Sequence, residues 1–179
     1  MPVLIAAVVV VGALCLLDLL LTFGVIRRLR EHTAMLNATS VPDSPIMGVS
    51  VGEAPDPYAG VTTAGDTVTR ANVVAFFSTS CSICPERVPL FVDYLKKHRV
   101  PQERVLAVVV GDPAVPAPYL PLLEGVARVC AQAEGGELER AFKVVGFPAF
   151  ALLDAQGEVT ATEYNPVRLP EPALAPAVN

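Results

Sequence analysis

The hydrophobic positions fall into two regimes. From Pro2 to Ile26 the chain is an almost unbroken run of Val, Leu, Ala, Ile and Gly, longer than the roughly 20 apolar residues that a helix needs to cross a bilayer. Residues 2–26 therefore read as a transmembrane anchor. No Lys or Arg precedes the run, and no small-x-small cleavage site follows it before Arg27, so a cleaved signal peptide does not fit. Leu14 stands just before Cys15, where a lipoprotein acylation signal would place a small residue. Asp18 inside the run is expected to face a partner helix or lie protonated, the alternative being tolerance by very apolar surroundings.

Beyond Ile26 the periodicity changes. Residues 27–50 read as a juxtamembrane helix continuing to about Leu36, then a linker of Asn, Ser, Pro, Gly and Asp. The folded domain is expected over 51–164. Val61-Thr62-Thr63 and Thr67-Val68-Thr69 flank the turn cluster Ala64-Gly65-Asp66, the pattern of a small hairpin. Asn72 to Phe77 and Val105 to Val110 are short continuous apolar runs that predict buried strands. Between them Val88, Leu90, Phe91 and Leu95 recur at helical spacing over Pro85 to Arg99, which closes on cations suited to a helix C-terminus. Further on, Tyr119 to Val126 predicts a short helix, Ala127 to Ala131 a strand and Glu137 to Lys143 a helix. Phe150 to Leu153 and Glu158 to Glu163 flank the turn Asp154-Ala155-Gln156-Gly157 as a second hairpin. Alternating strands and helices imply an α/β layer structure. Residues 165–179 carry Pro166, Pro170, Pro172 and Pro176, too many for a helix, and read as an extended or disordered tail.

Composition narrows the function. Of 179 residues, 53% are apolar and 17% charged, too hydrophobic for a disordered chain and consistent with a lipid-embedded part. The net charge is −5, from 13 basic and 18 acidic residues, and no basic stripe interleaved with aromatics occurs. A nucleic-acid partner is therefore not expected. Arg27, Arg28 and Arg30 follow the anchor with no cation before it, which by the positive-inside rule would hold the domain in the cytoplasm.

The chemistry sits in Ser78-Thr79-Ser80-Cys81-Ser82-Ile83-Cys84-Pro85, where a predicted strand meets a predicted helix. Two thiols three apart at such a junction permit a small reversible disulfide, with Cys81 exposed and Cys84 tucked into the first turn. Free N–H groups at a helix start favour a thiolate on Cys81, the species that attacks a partner's disulfide. Cys84 would then attack the mixed disulfide and release the partner. Pro85 near the first turn costs little, whereas Pro89 deeper in the helix is expected to kink it.

From Val73 to Pro89 the chain resembles the active-site strand and helix of the thioredoxin superfamily, with Pro89, five after Cys84, at the place of that family's kink proline. The resemblance implies a thioredoxin-like α/β fold, a central mixed sheet flanked by helices. It also implies a cis-proline opposite the cysteines, for which Pro148 in Val145-Gly146-Phe147-Pro148-Ala149-Phe150 is the candidate. The backbone of Phe147 would then pair with an extended client segment like an added strand. The anchor and the Gly52-Glu53-Ala54-Pro55-Asp56 lead-in look most like the membrane-anchored TlpA-type thiol-disulfide oxidoreductases. Such proteins typically face outward and act in cytochrome maturation or related maturation pathways; for this chain the expectation is disulfide exchange with a protein client and a redox partner, with no organic cofactor or metal. The outward orientation so implied opposes the reading from the three arginines.

Some residues depart from the pattern. Where thioredoxins proper carry an acid and a Trp, this chain has Ala75 and Ser80, so a proton acceptor must come from elsewhere; Glu86 is a candidate, and a solvated helix-surface Glu is the competing reading. The tail replaces a C-terminal helix and is expected to leave one sheet face less covered. A thiol peroxidase would resemble Pro-x-x-x-Thr-x-x-Cys, but Val74 and Ser78 occupy those places. A copper-binding module of related fold would show Cys-x-x-x-Cys with a distant His. A zinc site lacks ligands at a suitable spacing, since His32 and His98 are the chain's two histidines. Cys130 reads as a small buried hydrophobe and His98 as a solvated helix end.

Overall fold

A computed structural model describes Gly12, residues 46–112, Val115 and residues 117–174. The expected anchor over 2–26, Gly12 aside, the juxtamembrane stretch up to residue 45, and residues 175–179 of the tail lie outside the described residues. Among those described, no helix is long and apolar enough to cross a membrane.

The domain is organised around β3 (Val73–Ser78), six residues buried on both faces. Such a strand must be covered on each side, and its side chains alternate between two cores. It pairs in parallel with β4 (Val105–Val110), which pairs in parallel with β5 (Arg128–Gln132). On its other edge it pairs antiparallel with β6 (Ala149–Leu153), and β6 pairs antiparallel with β7 (Val159–Glu163). The result is a mixed five-stranded sheet in the order β5-β4-β3-β6-β7. A separate two-stranded ribbon joins β1 (Gly60–Val61) to β2 (Thr67–Val68), the first hairpin in shortened form.

Val73, Ala75 and Phe77 face the core beneath α1 (Cys84–Lys97) and α2 (Leu120–Glu124). In α1 the buried positions Cys84, Val88, Phe91, Val92 and Leu95 fall on one stripe. Phe77 stands at the centre of this core, its ring 5.9 Å from Phe91, 5.6 Å from Phe150 and 5.9 Å from Tyr119. Val74 and Phe76 face the opposite core, closed by Leu138 and Ala141 of α3 (Glu137–Ala141) and by Phe142. Pro85 lies in the first turn of α1, and Pro89 lies inside the helix and denies the Pro85 carbonyl its usual donor. Lys96 and Lys97 end the helix, where cations meet the negative end of its dipole.

Two stretches differ from the sequence reading. The tail is not simply extended. Pro166–Arg168 form a 3-10 turn, Leu169 enters the α1 core at 6% exposure, and the Tyr94 hydroxyl donates to Pro170 O at 2.6 Å. This segment covers the sheet side that lacks a C-terminal helix. Its proline content excluded a helix but not docking, because Pro docks readily in extended chain and the anchoring residue is a lone Leu. At the other end, Met47 and Val49, upstream of the expected domain start at Val51, are core residues with 1% and 2% exposure. Met47 forms an isolated antiparallel bridge with Val144.

Leu169→Ala therefore lowers stability by about 2 kcal/mol, read as a lower urea midpoint at unchanged slope. An unchanged midpoint would mean that the tail does not dock in solution.

Candidate active site

The site is built from the end of β3 outward. Ser78, its last residue, is 1% exposed. Thr79 N–H continues the parallel ladder by donating to Val110 O at 2.9 Å. The chain passes so close to Gly111 there that a Cβ at that position, φ +149°, would run into the Thr79 hydroxyl. Ser80 N–H donates to Ser78 Oγ at 3.2 Å, and the two hydroxyls lie 2.9 Å apart. The Ser78 carbonyl accepts from Cys81 N–H at 3.2 Å and from the Tyr119 hydroxyl at 3.0 Å. The turn that presents Cys81 is thus held by its own strand and by a side chain 41 residues away.

Helix α1 begins at Cys84 without a side-chain cap on its first turn. The free ends of its amide dipoles favour negative charge at that place. Cys81 is half-buried and Cys84 is 0% exposed. The two are joined by a disulfide with Cα atoms 5.4 Å apart, within the ordinary range for such a bond. Cys81 is therefore the more exposed of the two, and Cys84 is enclosed by the core.

The antiparallel register pairs Phe76 with Ala149, so the residues just before Ala149 stand beside the end of β3 from which the cysteine loop emerges. The Phe147–Pro148 peptide is cis. Pro148 is buried, while Phe147 is half-buried and packs against both cores. The four residues singled out from the sequence, Cys81, Cys84, Phe147 and Pro148, all lie at this end of the sheet.

Ala75 faces Phe150 within the core. Among the described residues the buried polar ones are Thr62 and Ser78, so no carboxylate is buried beneath Cys84. Glu86 is exposed in the first turn of α1. The hydroxyls of Ser78, Ser80 and Tyr119 were not legible as site groups. Ser78 and Ser80 resemble any loop serines, and Tyr119 comes to the site only through the tertiary fold. Burial pushes the Tyr119 phenol up, which keeps it protonated as a donor to the loop. His98 caps α1 with its ring 4.7 Å from Tyr94. Among the described residues no group of three His, Cys, Asp or Glu comes together to hold a metal ion. Cys130 is a free thiol at 2% exposure in β5, and burial pushes it from 9.0 to about 11 despite the opposing charge of Arg128.

Tyr119→Phe leaves the Ser78 carbonyl with one donor and costs about 1 kcal/mol in urea unfolding; a neutral result would show that the hydroxyl does not hold the loop. Alkaline pH acts through buried thiol and phenol groups, among them Cys130 and Tyr94. The unfolded chain ionises Cys130 near 9.0 and Tyr94 near 10.0, whereas the folded protein holds them neutral to about 11 and about 12. The unfolded state thus loses protons first, and stability falls as pH rises across this window. Cys130→Ser removes the Cys130 share of that slope, and a thermal-unfolding series against pH measures it.

No protein-family model and no curated protein matches the sequence. Solved structures do match. The thioredoxin domain of a thiol-disulfide oxidoreductase from Bacteroides vulgatus aligns at TM-score 0.54 and 16% identity, over 66% of this chain and 91% of that one. A thiol:disulfide interchange protein from Bacteroides sp. aligns at TM-score 0.52 and 15% identity, over 68% of this chain and 87% of that one. The described domain, a mixed sheet with the cysteine pair between its central strand and first long helix, has the thioredoxin-like fold.

Proposed function

We propose that this protein is a membrane-tethered thiol-disulfide oxidoreductase that exchanges disulfides with a protein client through Cys81 and Cys84. The observation that carries the reading is the Cys81–Cys84 disulfide itself, placed where β3 meets α1 with one cysteine half-buried and the other sealed. Inert structural disulfides do not need this asymmetry; a nucleophile with a resolving partner does.

In the reductive direction the Cys81 thiolate attacks one sulfur of a client disulfide. A Cys81–client disulfide forms, and the client's other sulfur leaves as a thiolate and takes up a proton. Cys84, on losing its proton, then attacks the Cys81 sulfur. The Cys81–Cys84 bond closes and the second client thiolate leaves, so two electrons have passed from this protein to the client. The reverse sequence oxidises a client dithiol. Either way a redox partner restores the starting state, and no organic cofactor takes part. The place of Phe147 beside the end of β3 supports a docking role for its backbone, which would receive an extended client segment as an added strand.

The apolar run 2–26 supports the tether. The resemblance to TlpA-type proteins supports a domain facing away from the cytoplasm, and Arg27, Arg28 and Arg30 weigh against it. We adopt the outward reading.

Replacing Cys84 with Ala in cells removes the resolving thiol, so a Cys81-linked client accumulates and disappears on reduction. The compartment of the trapped client reports the side of the membrane. Absence of any adduct while Cys81 remains alkylatable would contradict the exchange reading.

A further inference from the structure

The chain enters the domain through a segment outside the sheets and helices, and this segment is fastened to the loop that carries Phe147. Val145 N–H donates to Ile46 O at 2.9 Å, and Gly48 N–H donates to Lys143 O at 2.7 Å. Between these bonds Met47 stands opposite Val144 in the antiparallel bridge. Met47 and Val49 sink into the core beside Phe142 and Leu138, which holds the strap down at both ends. On the far side the loop is tied to α3, with Val144 N–H donating to Glu139 O at 3.0 Å. Of the residues between the strap and Pro148, Val145 is 74% exposed, and Gly146 and Phe147 are half-buried.

The fit of strap to loop is close. A Cβ at Gly48 would stand 2.8 Å from Lys143 Cβ, too near for either backbone to stay in place. Lys143 itself has φ +50°, in the left-handed region that side chains other than glycine seldom adopt. Small movements of Ile46–Gly48 are therefore passed to the backbone leading into Phe147 rather than absorbed by loose side chains.

We propose that Ile46–Gly48 is a positioning element for client docking. It sets where the Val145–Phe147 backbone lies relative to Cys81, and so governs capture of polypeptide disulfides without governing sulfur chemistry. A small disulfide meets only the cysteines, whereas a polypeptide must also pair along the loop. The inference rests on the exchange reading above and deepens it by naming the segment that positions the docking backbone.

The test uses the full chain with two probes, the disulfides of insulin and bis(2-hydroxyethyl) disulfide. Gly48→Ala is expected to raise KM for insulin by about tenfold or more, since an error near 1 Å in docking costs up to roughly a hundredfold. Turnover of the small disulfide is expected to stay within about twofold, the scatter of an unaffected chemical step. Val105→Ala, a buried truncation in the opposite core at the end of β4 far from Ser78, lowers the melting temperature without changing the ratio of the two activities. Gly48→Ala combined with Lys143→Gly removes the clash and suits the left-handed φ, so it restores the insulin KM. Parallel loss on both probes, the same selective loss in Val105→Ala, or no rescue by the double variant would overturn the positioning role. A parent protein inert towards both probes would instead sink the exchange reading, and the strap proposal with it.

Discussion

The structure depends on a strand that water reaches on neither face. β3 is held by β4 on one edge and β6 on the other, with separate apolar cores above and below. A strand so fixed has no freedom at its end. Where it stops, the Ser78 carbonyl takes the Cys81 amide and the Tyr119 hydroxyl together. The next turn of chain is the start of α1, whose first residue, Cys84, is already part of the core. The unequal exposure of the two cysteines follows from this arrangement without any further device. It comes from the abrupt passage between a buried strand and a helix that packs back over it.

The environment of the pair is polar without being charged from within. Ala75 occupies an apolar place under the site, and hydroxyl groups, backbone amides and the open end of α1 surround the loop. Negative charge on Cys81 is favoured by oriented dipoles, which need no titratable partner to act. Cys130, by contrast, shows what burial without such dipoles does to a thiol: it stays neutral far into the alkaline range. Cys81 and Cys130 stand in different places, the first in the loop between β3 and α1 and the second within the edge strand β5.

Strands and the long helix were legible because their signal is local. Val105 to Val110 forms β4 as read, and the run read as a strand from Asn72 to Phe77 becomes β3 one residue later. The helical stripe of Val88, Phe91 and Leu95 likewise survives folding, since six turns of pattern are not needed when one apolar face is enough. The short helices were read too long: α2 gives way at Gly125, and α3 ends before Lys143, whose left-handed φ breaks the helix. What escaped the sequence was contact between distant, isolated residues. Met47, Val49 and Leu169 are single apolar side chains in stretches rich in Pro, Gly or Ser, and no period marks them as core. Tyr119 reaches the cysteine loop only because α2 packs against α1, a tertiary fact with no local signature.

Thiol–disulfide exchange requires that Cys81 and Cys84 form one reversible two-electron couple. The most direct measurement equilibrates the protein in thiol–disulfide buffers of graded potential, quenches it with an alkylating agent and counts modified cysteines by mass. A single transition is expected in which both thiols appear together, tenfold in the oxidised-to-reduced ratio for about every 30 mV, while Cys130 stays unmodified in the native state. Thiols at 81 and 84 that appear independently, or a bond that neither opens nor closes across the series, would contradict it.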